Sequence, residues 1–123
     1  MKKMKKTKKI TKIKNSFINA INGLVIALIK ELNVRISFLL ILANIILNIF
    51  FKVTLRDWGT TIFVGLFVLS FELMNTSIEM LIDLYFQKFN IKVKAIKDLS
   101  ASAVLISLIS YLIINCIIYL SYI

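Results

Sequence analysis

The chain has 123 residues, a net charge of +10 and a mean hydropathy of +0.89, with 59% hydrophobic residues. The absence of histidine excludes histidine acid–base catalysis and histidine metal ligands, and a single cysteine, Cys116, excludes a disulfide framework. The basic residues border apolar runs and do not alternate with stacking aromatics, so we expect a membrane partner and no nucleic acid.

The first 14 residues form a basic head in which eight lysines precede Asn15. The segment SFINAINGLVIALIK follows, with apolar side chains on one side and asparagines on the other. This pattern predicts an amphipathic helix over about 15–31 that lies on the membrane surface. Two interpretations of the lysines stay open, a signal for membrane topology and direct contact with anionic lipid.

Three apolar runs follow, and each is compatible with the roughly 20 residues that a spanning helix needs. We place the spans at about 33–52, 58–86 and 99–123. The sequence thus predicts an all-α membrane protein in which residues 15–123 form a single membrane domain. Lysines are concentrated in the head and in the 86–98 connection, so the positive-inside rule predicts that both lie in the cytoplasm.

Five of the six acidic residues fall on this predicted cytoplasmic side. Three of them occur in the apolar stretch FELMNTSIEMLIDL, which covers residues 71–84. On a helix, Glu72, Thr76, Glu79 and Asp83 occupy an arc of roughly 60°, with Asn75 at its edge. Because carboxylates facing lipid are costly, this stripe is expected to face a protein interior or a wet cavity. Hydrogen bonding between helices is the alternative role.

Clustered carboxylates without histidine or cysteine suit hard cations such as Mg²⁺, which prefers oxygen ligands and bridges to phosphates. Together with the basic Lys97, they supply the groups required for phosphoryl transfer. The three glycines match neither the P-loop nor the protein-kinase pattern. A competing hypothesis is an ion or proton pathway through an oligomer, although the one-sided clustering of acids argues against it.

Three segments resemble motifs of the small bacterial diacylglycerol kinase and undecaprenol kinase family. FELMNTSIEMLIDL is similar to its E-x-x-N-[ST]-[AS]-I-E-x-x-x-D signature. KAIKDLSASAVLI resembles A-K-D-x-[AG]-[AS]-A-V-L-I, and AINGLVIALIKELNVR resembles A-x-x-G-L…E-x-N-x-R. The segments occur in the family's order and spacing, and the resemblance covers nearly the whole chain after the head.

The resemblance implies an ATP- and Mg²⁺-dependent lipid kinase. By the matching positions, Glu72 is expected to be the general base that accepts the proton of the lipid hydroxyl. Glu31 and Glu79 are expected to be metal ligands for Mg-ATP, and Lys97 and Asp98 to be nucleotide contacts.

The resemblance further implies a homotrimer, with sites shared between subunits, in the bacterial inner or plasma membrane. Asn75 is expected to support the base, and Gly23 and Arg35 to line the lipid entrance. The residues at the variable positions of these motifs resemble those of the Gram-positive-like undecaprenol kinases. The resemblance therefore implies undecaprenol as the preferred substrate, phosphorylated at the cytoplasmic face. Diacylglycerol is the alternative.

Overall fold

The computed structural model describes residues 2–123, with side chains for residue 5 and for residues 7–123. The described chain contains four helices and no strand: α1 (Lys2–Lys30), α2 (Leu32–Phe51), α3 (Leu55–Tyr85) and α4 (Ile91–Leu120). Helices α2, α3 and α4 are long and apolar enough to cross a membrane, with hydropathies of 2.2, 1.6 and 2.4. The prediction of an all-α membrane protein with three spans is therefore confirmed.

Two helices extend beyond the segments predicted for them. Helix α1 begins at Lys2, not near residue 15, because lysine is a good helix former and no glycine or proline precedes Gly23. Helix α4 begins at Ile91, eight residues before the predicted span, and the Asn90 side chain caps it by accepting the Lys92 N–H at 2.8 Å. The predicted spans were bounded by charges, whereas the helices continue through charged residues.

Helix α3 lies between α2 and α4 and is the most buried of the three spans. One core cluster, Val34, Ile41 and Leu69, joins α2 to α3, and a second, Val64, Val68 and Tyr111, joins α3 to α4. At Gly65 the two helices α2 and α3 approach closely, since a Cβ atom there would lie 3.0 Å from Ile41 Cγ1. The small residue therefore permits the helix contact that positions α3.

A buried polar network joins all three spans in the half of the bundle that contains the C-terminal end of α2. Asn44 Nδ2 donates to the Thr61 carbonyl, and Asn48 Nδ2 donates to Thr61 Oγ1, both at 2.8 Å. The hydroxyls of Tyr111 and Tyr119 donate to the amide oxygens of Asn44 and Asn48, both at 2.9 Å. These bonds satisfy polar groups away from water and hold α2 and α4 on either side of α3.

Candidate functional site

The acidic stretch of α3 passes from the interior of the bundle to its surface. The Glu72 side chain is buried, with a residue exposure of 4%, and Asn75 and Thr76 are buried beside it. Glu79 is half-buried, and Asp83 is exposed. The stripe predicted on this helix therefore contains one buried carboxylate, Glu72, and its side chains become progressively more exposed toward the end of α3.

Glu72 contacts the junction of α1 and α2 as well as its own helix. The Asn33 side chain, in the first turn of α2, lies near enough to the Glu72 carboxylate to act on it as a hydrogen-bond donor. Glu31 and Glu79 lie close enough to Glu72 to interact with it electrostatically. Three carboxylates thus lie within electrostatic range of one another, and a bound cation would offset their mutual repulsion.

The position of Glu31 follows from a break in the helical backbone. Residue 31 is extended, with φ −107° and ψ 118°, so the chain changes direction between α1 and α2. Glu31 caps α2 through its backbone position, but its side chain makes no capping hydrogen bond. The half-buried carboxylate is therefore available for a ligand.

The side-chain oxygen of Asn75 is a hydrogen-bond acceptor that has no donor. Its Oδ1 atom is buried and has no hydrogen-bond partner, and among the described side chains only Asn115 Oδ1 shares this state. Buried acceptors in proteins are almost always paired, because the unpaired atom retains its full desolvation cost. A group that donates a hydrogen bond beside Glu72, such as an alcohol or a water, would satisfy it.

A groove of about 400 Å³ separates α1 from α3 and adjoins this cluster. Gly23 and Lys30 line it from α1, Glu31 lines it from the junction of α1 and α2, and Thr76 and Met80 line it from α3. A Cβ atom at Gly23 would meet nothing within 4 Å, so the packing of this chain does not require a glycine there. The groove is largely apolar with a few polar lining groups, among them Glu31 and Thr76, as a lipid with a polar terminus requires.

Lys97 and Asp98 lie at the start of α4 and are engaged in ion pairs. Lys97 Nζ lies 2.7 Å from Asp83 Oδ1 on α3, and Asp98 pairs with Lys94 of its own helix. Lys97 is also near enough to Glu79 to interact electrostatically with it. The structure therefore connects Lys97, through Glu79, to the cluster around Glu72.

Two of the predicted residues are not brought into the cluster. Within the described part of the chain, no hydrogen bond or ion pair links Arg35 or Asp98 to Glu72, and both residues are exposed. No group of three or more acidic or cysteine ligands suited to a metal is found among the described residues either. Mg²⁺ needs only one or two carboxylates when substrate phosphates complete its coordination, and Glu31 and Glu79 match that smaller set.

Asn33 is the site residue that sequence reasoning did not assign. It is the asparagine of the ELNVR segment, two residues after Glu31, so the motif contained the signal without indicating a partner. Its contact with Glu72 depends on the packing of α2 against α3, which the sequence pattern does not specify.

Comparison with known protein families decides the class of protein. The family model of prokaryotic diacylglycerol kinase matches residues 18–119, which include every residue of the cluster and the groove described above. The chain belongs to the prokaryotic diacylglycerol kinase family. It is accordingly a lipid kinase, a phosphotransferase with an alcohol acceptor, and a bacterial membrane protein. No curated protein matches the chain.

Membership of the diacylglycerol kinase family confirms the resemblance found in the three motifs. It also favours phosphoryl transfer over an ion or proton pathway as the role of the intramembrane acids. The match begins after the lysine-rich start of α1, so residues 1–17 lie outside the part of the chain that defines the family.

Proposed function

We propose that the protein transfers the terminal phosphoryl group of Mg-ATP to the hydroxyl of undecaprenol at the cytoplasmic face of the membrane. The observation that carries this proposal is the buried Glu72 carboxylate, which lies beside the unpaired Asn75 oxygen and adjoins an apolar groove. Two residues that line the groove are near this carboxylate: Glu31 is within electrostatic range of it, and Thr76 follows it by one helical turn.

Glu72 acts as the general base in this proposal. The lipid hydroxyl donates its proton to the Glu72 carboxylate while its oxygen forms a bond to the terminal phosphorus of ATP. The bond from that phosphorus to the bridging oxygen breaks, and ADP leaves with the electron pair. Asn33, which lies near the carboxylate, would orient it by donating a hydrogen bond. The unpaired Asn75 Oδ1 would accept a hydrogen bond from the lipid hydroxyl or from a water.

Glu31 and Glu79 would hold the Mg²⁺ ion. Both are at least partly accessible, both approach Glu72, and their oxygen donors are those that Mg²⁺ prefers. When bound, the ion neutralises charge on the phosphate oxygens. Lys97 supplies a second positive charge for the terminal phosphates. When the nucleotide binds, the Lys97 ammonium would leave its ion pair with Asp83 and bind the phosphate oxygens.

The remaining residues are assigned from the family resemblance. Asp98 is a nucleotide contact, and Gly23 and Arg35 belong to the lipid entrance. Because Arg35 and Asp98 lie outside the cluster of a single chain, we propose that the site is completed between subunits of a homotrimer. Native mass spectrometry of the detergent-solubilised protein tests this assembly: a trimer is expected, and a monomer that retains full turnover would contradict it.

The substrate is tested by direct comparison of two acceptors. Purified protein is incubated with radiolabelled ATP, Mg²⁺ and either undecaprenol or diacylglycerol in the same detergent, and the phosphorylated lipid is measured. We expect faster transfer to undecaprenol, a preference supported by the residues of the two acidic motifs. Faster transfer to diacylglycerol would identify diacylglycerol as the substrate and leave the proposed mechanism unchanged. No transfer to either lipid by a folded sample would refute the proposed function.

A further inference from the structure

The lysine-rich head comprises residues 1–14, and from Lys2 onward it is a part of α1 that the site does not use. It lies outside the family match, yet it continues the same helix that lines the groove. Eight of its residues are lysines, and no acidic residue occurs before Glu31. Lys5, Lys8, Lys9 and Lys12 are exposed, and none of them has a carboxylate partner among the described residues. The head is a concentrated positive charge without internal compensation.

The same helix also presents an apolar stripe. Ile10, Ile13, Phe17 and Ile21 fall within about 80° of arc at helical spacing, and their exposures are 58%, 62%, 70% and 47%. Lys8 and Lys12 project from the opposite side, and Lys5 and Lys9 lie between that side and the stripe. A helix with an apolar stripe bordered by lysines is suited to the boundary between lipid headgroups and acyl chains.

We propose that the lysine-rich head is a docking surface for anionic phospholipid, with its lysines on the lipid phosphates and its apolar stripe in the acyl boundary. This surface holds α1, and with it the groove-lining residues Gly23 and Lys30, at the membrane plane. The proposal does not rest on the kinase function.

The positive charge of the head and its connection to the spanning helices favour the membrane over other partners. A second copy of the head carries only positive charge and would be repelled. A nucleic acid would bind the lysines but leave the apolar stripe in water, and the head has no aromatic residue for stacking on bases. An anionic leaflet satisfies both features, and the spanning helices that follow α1 keep the head next to one.

The experiment measures the immersion of the head in the full-length protein. The native Cys116 is replaced by alanine, and a spin label is attached at Ile13→Cys in the stripe or at Asn19→Cys on the polar side. Each protein is reconstituted into phosphatidylcholine vesicles with or without about 30% phosphatidylglycerol, an anionic lipid. Accessibility is then compared between oxygen and a water-soluble paramagnetic collider.

We expect the Ile13→Cys label to be shielded from the water-soluble collider only in the anionic vesicles, and to lose this protection in high salt. The Asn19→Cys label should stay accessible in all vesicles. Replacing Lys5, Lys8, Lys9 and Lys12 by glutamine should lower the ratio of docked to detached heads several hundredfold, since each charge contributes about fivefold near such a surface. Replacing the same lysines by arginine should preserve docking.

The proposal would be overturned if the Ile13→Cys label had the same accessibility in neutral and anionic vesicles. Protection that persists in the glutamine variant would overturn it equally, because the lysines would then be dispensable. A label in neutral vesicles that becomes protected when RNA is added, without a response to phosphatidylglycerol, would assign the head to nucleic acid instead.

Discussion

Lys97 on α4 donates a hydrogen bond to Asp83 on α3, with 2.7 Å between Nζ and Oδ1. The pair spans the connection between the two helices and is partly solvent-exposed, so it contributes little to folding stability. A weak pair of this kind can be exchanged at little cost for a stronger one with phosphate oxygens. We therefore expect the pair with Asp83 to compete little with the binding of phosphate by Lys97, and Asp83 itself to be dispensable for turnover.

Substitution of Lys97 distinguishes two roles of this residue, a contact to the nucleotide and a structural ion pair. We expect Lys97→Met to raise KM for ATP at least about tenfold, because a hydrogen bond to a charged group contributes about 1.5–3 kcal/mol. The thermal midpoint should change little. Steady-state kinetics at saturating lipid provide the measurement, and Lys92→Met, at an exposed lysine of the same helix, is the matched control. An unchanged KM for ATP would remove Lys97 from the nucleotide site.

The two proposed metal ligands predict a specific defect in Mg²⁺ dependence. Glu31→Gln and Glu79→Gln should each raise the Mg²⁺ concentration for half-maximal activity by about tenfold or more, since losing even an outer-shell partner costs about 10–100-fold in metal affinity. Activity is measured against free Mg²⁺ at fixed ATP. Asp57→Asn, at the acid in the first turn of α3 and outside the cluster, should leave the Mg²⁺ requirement unchanged. Equal Mg²⁺ curves for all three variants and the wild type would disprove the ligand assignment.

Filling the groove tests the route of the lipid. Gly23→Leu should fold normally, because a Cβ atom there meets no other atom within 4 Å, but its side chain would occupy the space between α1 and α3. We expect KM for the lipid to rise at least about fivefold, as overpacking costs about 1–3 kcal/mol, with KM for ATP unaffected. Gly59→Leu is the control, since Gly59 is equally open but distant from the groove. Identical lipid KM values for both variants would place the lipid elsewhere.

The polar network of the spans is predicted to serve stability and not turnover. Asn44→Ala removes the hydrogen bonds to the Thr61 carbonyl and from the Tyr111 hydroxyl, and should lower the free energy of unfolding by about 1–2 kcal/mol. Asn115→Ala removes only a hydrogen bond within α4 and should cost less. Unfolding in increasing fractions of denaturing detergent provides the comparison. A larger loss for Asn115 than for Asn44 would contradict the network's role.

Much of this arrangement follows from patterns in the sequence. The apolar runs predicted three spans, and the spacing of Glu72, Thr76 and Glu79 indicated a shared side of α3. Helix ends were less predictable, because charges marked the edges of apolar runs whereas capping and lysine propensity decide where α1 and α4 begin. Burial along the stripe also required packing: Glu72 is enclosed by α2, while Asp83, on the same side, extends beyond it.

Contacts between distant segments were the least accessible to sequence reasoning. Asn44 and Asn48 are one turn apart on α2, but nothing in their spacing selects Tyr111 and Tyr119 of α4 as their partners. The approach of Asn33 to Glu72 depends in the same way on how α2 packs on α3.

The most direct test of the account is the rate of phosphoryl transfer by Glu72→Gln, a substitution that keeps the shape of the side chain and removes its basicity. Asp83→Asn makes the same carboxylate-to-amide change at an exposed position of the same helix. With assembly and thermal midpoint checked for both, we predict that Glu72→Gln loses turnover by about 10²–10⁴-fold or more, while Asp83→Asn retains it. A Glu72→Gln protein that transfers phosphate to lipid at a near wild-type rate would contradict the assignment of Glu72 as the base.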